Sequence, residues 1–160
     1  VKYWLLIPLG AAAGVSVLLL FLYNSAVSPL EEREAAGRAA ASSMEDIAEI
    51  YEVNFFHGET SYQVVDAVRE DGEDIYVLVP ENEEAEPEVL LHSAGITREE
   101  ARETAAANED MQSVHAVRLG MLEGIPIYEI NYTDSYGRLG YYYVSFENGE
   151  YIKSYQLGTS

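Results

Sequence analysis

The sequence predicts an α+β chain: one apolar N-terminal transmembrane helix, then two tandem units that each pack a helix on an antiparallel sheet. Three observations point to this. Residues Trp4 to Tyr23 carry no charged side chain. Two segments with helix-capping signals each precede a run of alternating strands. The turn glycines of the two runs keep nearly constant register, with 66 residues from Gly58 to Gly124 and 65 from Gly72 to Gly137.

The apolar run is about 20 residues long, and at roughly 1.5 Å per residue a helix of that length crosses a hydrocarbon core of about 30 Å. Trp4 and Tyr23 stand at its two ends, where aromatic belts form. Pro8 falls near the helix start, where it costs little. A cleaved signal peptide is the competing reading. Its apolar region is usually shorter, and the nearest small-x-small sequence, Ala26-Val27-Ser28, is followed by Pro29. An uncleaved anchor over residues 1–27 is therefore expected. Lys2 precedes the span, while Glu31 and Glu32 follow it, so the N-terminus is expected in the cytoplasm and the remainder outside.

The first unit is expected over residues 28–93. Ser28, Pro29 and Glu31 form a capping signal. Leu30, Ala36, Ala40, Met44 and Ile47 follow at helical spacing, so the pattern predicts a helix from Pro29 to about Ala48. Tyr51, Val53 and Phe55 alternate up to His57-Gly58. Tyr62, Val64, Asp66 and Val68 share one face of the next strand, with Val65 and Ala67 on the other. Asp71-Gly72 marks a hairpin. Ile75 to Val79 is a dense strand ended by Pro80, Glu81 to Pro87 is an acidic linker, and Val89-Leu90-Leu91 closes the sheet.

The second unit is expected over residues 94–160. Thr97 and Glu100 form a capping box, with Ile96 placed to staple against Ala101, and predict a helix from Arg98 to Asn108. Strands follow over Ser113–Leu122, Ile125–Thr133, Leu139–Phe146 and Tyr151–Leu157, with turns at Gly124, Gly137 and Asn148-Gly149. Units this small have thin cores and are expected to pack against each other.

Composition excludes several functions. The 160 residues include 28 acidic and 9 basic side chains, for a net charge of −19, and no cysteine. Nucleic acid and anionic headgroups are poor partners, because both select clustered Lys and Arg. Thiolate nucleophiles, disulfides, cysteine-based zinc sites and lipid attachment through cysteine are absent. All 28 acids lie beyond the span with 8 of the basic residues, which makes that part −20. Such a surface suits a saline or alkaline exterior, where screening relieves self-repulsion.

No catalytic constellation stands out, and the chain is not expected to be an enzyme. His57, His92 and His115 lie apart and begin no ligand motif, so structural roles suit them better. Glu70 to Asp74 and Glu81 to Glu88 lack the alternating ligand order of a calcium loop and read as solvated tip and linker. Paired glycosidase carboxylates have no sequence signal, and the serines lack a nucleophile elbow or an S-x-x-K motif. Gly10 and Gly14 form a common helix-pairing spacing. No metal and no cofactor is implied.

Tyrosine is concentrated in the second unit, at positions 128, 132, 136, 141, 142, 143, 151 and 155. Core packing and cross-strand pairing account for many of these rings. The sharper reading is an interaction face built from Tyr132, Tyr136, Tyr141 and Tyr143, since tyrosine suits interfaces.

The run from Gly95 to Ala101, followed by IPIYEINYTDSYGRLGYYYVSFENGEYIKSY, resembles a PepSY domain. With the anchor, the alanine-rich helix and SYQVVDAVREDGEDIYVLVP, nearly the whole chain is similar to the TseB-like (YpmB-like) proteins of Bacillus-type bacteria. The resemblance implies two tandem cystatin-like or PepSY-like domains outside the cytoplasmic membrane. It also implies a role in peptidoglycan elongation through contact with a penicillin-binding protein, a transpeptidase. It brings no catalytic residues. A peptidase-inhibiting or binding module at the cell surface is the other function the PepSY likeness allows.

Overall fold

The computed structural model describes residues 34–44, 46–82 and 85–158. The span Trp4–Tyr23, the Gly10/Gly14 pair, the capping signal at Ser28–Glu31 and part of the acidic linker lie outside these residues. Among the described residues, no helix is long and apolar enough to cross a membrane. The chain divides at Ala36/Gly37, and the unit Gly37–Ser160 holds every described strand.

Residues 34–42 are helical (α1). The first sheet is a meander in the order β1 (Ile47–His57), β2 (Ser61–Arg69), β3 (Asp74–Pro80), β4 (Glu88–Leu91). A short 3-10 turn, His92–Ala94, leads to α2 (Arg98–Asn108). The second sheet is a meander in the order β5 (Ser113–Leu122), β6 (Ile125–Thr133), β7 (Leu139–Ser145), β8 (Tyr151–Leu157). All neighbouring strands are antiparallel.

The first helix ends earlier than its apolar spacing predicts, and Ile47 and Ala48 belong to β1 rather than α1. The Ser43 hydroxyl and the Met44 N–H bond back three residues, to the Ala40 and Ala41 carbonyls, which tightens and closes the helix. The Asp46 carbonyl then accepts from Glu70 N–H, and its carboxylate lies 3.0 Å from Arg69 Nε, so Ile47 enters the ladder opposite Arg69. Met44 and Ile47 still pack with Ala41, which explains why the helical period continued past the helix. At the other end of the chain, β7 stops at Ser145, one residue before the expected Phe146.

Register separates the two faces of the first sheet. Ile50, Val53, Val65, Ala67, Ile75, Val77, Val89 and Leu91 share one face and form a cluster with Ala41 of α1. Phe56, Tyr62, Val64, Tyr76, Leu78 and Leu90 share the other and join a second cluster. That cluster also holds Leu119, Met121, Tyr128, Ile130, Tyr132, Tyr142 and Val144 of the second sheet, with Ala101 and Ala105 of α2. The two sheets therefore have one continuous core. Burial on both faces is why β3 reads as an unbroken apolar run.

Two glycines permit this packing. A Cβ on Gly120 of β5 would come closer than 3.0 Å to three ring atoms of Phe56, so the ring rests on the bare backbone. Gly140 does the same for the Tyr132 ring. The capping box forms as expected: Thr97 Oγ1 accepts from Glu100 N–H at 3.2 Å, and the Glu100 carboxylate accepts from Thr97 N–H at 2.7 Å. The β5–β6 hairpin places Glu123 and Gly124 both at positive φ, 51° and 78°, which is the mirror-image turn that matches strand twist.

Candidate functional site

The tyrosines picked out by sequence do not share one face. Tyr132 is 0% exposed, in the core on the α2 side, and its hydroxyl accepts from Gln156 at 3.4 Å. Tyr136 is 78% exposed in the β6–β7 turn, with Arg138 5.2 Å from its ring centre. Asp134 shapes that turn, accepting from Tyr136 N–H at 2.9 Å, Arg138 N–H at 2.8 Å and Arg138 Nε at 2.7 Å. Burial opposes ionisation of Asp134, but these donors hold its carboxyl below the ordinary range.

Tyr141 and Tyr143 do lie together, on the face of the second sheet opposite Tyr132 and Tyr142. Cross-strand pairing sets Arg118, Glu129, Tyr143 and Lys153 in one row, and Asn131, Tyr141 and Tyr155 in the next. The Tyr143 hydroxyl donates to Glu129 at 2.7 Å and lies 3.1 Å from the Tyr155 hydroxyl. Tyr155 stacks on Tyr141, with ring centres 4.9 Å apart and planes inclined by 20°. Arg118 is 3.6 Å from Glu129, and Lys153 lies 5.0 Å over the Tyr143 ring. Burial, followed by the hydroxyl of Tyr155 and the carboxylate of Glu129, raises the Tyr143 phenol far above its usual range. Tyr143 is thus a neutral donor that fixes Tyr155. Tyr155 is 44% exposed, and sequence reasoning passed over it because Tyr151–Leu157 shows no special motif.

A second group of polar residues joins the first sheet to α2. Asp66 and Tyr76, neighbours across β2 and β3, meet His92 and Arg98 around a cleft of about 240 Å³. His92 Nε2 is 3.2 Å from Asp66 Oδ1, and Arg98 lies 3.6 Å from Asp66 and 3.1 Å from Glu52. The His92 and Tyr76 rings stack with centres 3.8 Å apart, and Arg98 is 5.8 Å from the Tyr76 ring centre. Burial pushes the Asp66 carboxyl up, against the pull of His92 and Arg98. Bonds from Asn54 and Arg98 lower Glu52. Each charge here has an opposite neighbour, so the group acts as a clasp across elements. His92 is structural, as are His57, bonded to Ser61 at 2.9 Å, and His115, bonded to Thr133 at 2.6 Å. Among the described residues, no three His, Asp or Glu side chains are grouped to hold a metal.

This architecture agrees with known proteins. Residues 95–155, which cover α2 and most of the second sheet, match the PepSY family, described as the peptidase propeptide and YPEB domain. Residues 95–155 are therefore PepSY-like. The chain is 27% identical over 133 residues to a Bacillus subtilis protein named "Probable cell wall elongation regulator TseB", covering 83% of each chain. A solved structure, the YpmB protein from Bacillus subtilis, superposes with a TM-score of 0.70 at 25% identity, over 77% of this chain and 96% of that one. Over most of its length the chain is similar to these TseB/YpmB-like proteins, and over residues 95–155 to PepSY domains.

Proposed function

We propose that the chain is a membrane-anchored, non-enzymatic, extracytoplasmic regulator of cell-wall elongation that acts by binding a penicillin-binding protein. The likeness along 83% of the chain to a protein named as a probable cell wall elongation regulator carries this reading. In it, residues 1–27 are the anchor with a cytoplasmic N-terminus, and 28–93 and 94–160 are two cystatin- or PepSY-like domains outside.

The test is affinity purification of the full chain from detergent-solubilised membranes of its host. A penicillin-binding transpeptidase is expected to co-purify. Recovery of the chain alone overturns the reading. The description of the PepSY family as a peptidase propeptide domain favours a second reading, a peptidase-inhibiting module. It requires that the purified chain slow an extracellular peptidase, and full peptidase activity at saturating chain removes it.

A further inference from the structure

Sheet edges expose unpaired N–H and C=O groups, and proteins blunt them with bulges, charge, shortness or cover. Among the described residues, all four sheet edges carry some such feature. β1 has two register shifts and carries Glu49 and Glu52. β4 has 4 residues. β5 has a register shift near its start and lies against β1 and β2, with Phe56 seated on Gly120.

β8 has a register shift near its start and carries Lys153. It runs for 7 residues, pairs with β7 on one side, and has no second neighbour among the described residues. Between Tyr151 and Leu157 there is no acidic side chain, although the chain has 28. Ser154 and Gln156 face α2 and the core, bonding Glu109 and Tyr132. Lys153, Tyr155 and Leu157 therefore point to the other side, and all three are exposed. Arg69, Arg98, Arg102 and Arg138 are held in ion pairs. Lys153 rests on the Tyr143 ring and pairs with no carboxylate among the described residues. Tyr155 is held in place by Tyr141 and Tyr143, so binding orders little that is not already ordered.

We propose that β8 is a docking edge. An extended segment of a partner protein adds to it as a fifth strand, with a carboxylate beside Lys153 and apolar side chains on Tyr155 and Leu157. Main-chain bonds along β8 supply affinity, and the alternate side chains supply selection. A lone lysine in mid-edge deters indiscriminate pairing and selects an acidic mate. A second copy of this chain is a poor occupant, because the −19 charge of each copy is self-repelling. The inference rests on the reading that the chain works by binding another protein, and it names the surface and the kind of segment.

The absence of cysteine allows a direct test on the full chain in its host membrane. A photo-crosslinker is attached at Leu157→Cys or, for comparison, at Tyr51→Cys on β1, and adducts are mapped by mass spectrometry. Position 157 is expected to join one protein at an extended segment bearing a carboxylate. Lys153→Glu is expected to cut the yield about tenfold, the order for a close pair turned from attractive to repulsive, and Lys153→Met to cut it less. Adducts to a second copy, equal yield of the same protein from position 51, or no adduct at 157 overturn the docking edge. A transpeptidase adduct at 157 supports both proposals. A different protein at 157 keeps the edge and sinks the transpeptidase reading. A transpeptidase that co-purifies but crosslinks only from position 51 does the reverse.

Discussion

Alanine at Gly120 tests whether the two sheets share a core through Phe56. The new methyl carbon would lie closer than 3.0 Å to three Phe56 ring atoms. Phe56 is 2% exposed and belongs to the shared cluster, so the ring has no solvent to move into. Gly120 is not at positive φ, so alanine brings no backbone strain. Overpacking of a filled core costs about 1–3 kcal/mol, and Gly120→Ala should fall in that range. Phe56→Ala alone should cost about 3–5 kcal/mol through the cavity it leaves. On that background the alanine methyl enters vacated space. The second substitution should then be neutral or stabilising by up to about 1 kcal/mol through the unfolded chain. The coupling, about 1–3 kcal/mol or slightly more, is read from a double-mutant cycle by urea denaturation of the full chain in detergent. An equal cost of Gly120→Ala with and without the Phe56 ring would refute the packing argument.

Four further outcomes are expected. Tyr143→Phe removes the donor to buried Glu129 and the hydroxyl contact of Tyr155. It should cost about 1–3 kcal/mol in urea denaturation, and no loss would mean that Glu129 finds another donor. Thr97→Ala removes the cap of α2 and should cost about 1 kcal/mol, with Thr97→Ser restoring most of it. Asp66 has a native pKa above its unfolded value, so ionising it costs the folded state. The stability of Asp66→Asn relative to wild type should rise with pH from below about 3.9, the ordinary carboxyl value, through the raised native value; a flat difference over that window refutes the burial argument. Raising ionic strength from low salt to about 1 M, where screening reaches roughly 3 Å, should raise the melting temperature by relieving acidic self-repulsion, and an unchanged melt would oppose it.

Much of the fold is legible in the sequence because its signals are local. Thr97 and Glu100 specify a helix start through bonds three residues apart, and Arg98–Asn108 forms as read. Gly72, Gly124, Gly137 and Gly149 all adopt the positive φ that their turns require. The error at Ile47 has a physical origin. An apolar residue at helical spacing from Met44 reaches the same core by strand or by helix, and only the pairing of Ile47 with Arg69 separates the two.

The tyrosines show where such reading ends. Alternation along Tyr141, Tyr142 and Tyr143 correctly sets the middle ring on the face opposite its neighbours. It cannot rank them by exposure: Tyr143 is 5% exposed because Tyr155, Lys153 and Glu129 close over it from other strands. Asp66 and Arg98, 32 positions apart, become neighbours only when α2 seats against the first sheet.

By itself the sequence determined the α+β class, the strand boundaries near each glycine turn, the capped second helix and the one-sided acidity, since each depends on neighbours along the chain. Tertiary structure decided that the two sheets share one core, that Phe56 rests on Gly120, and that Tyr155 and Lys153 stand on the last strand of the second sheet. Those features depend on which surfaces meet across long sequence separations, and no local period encodes that.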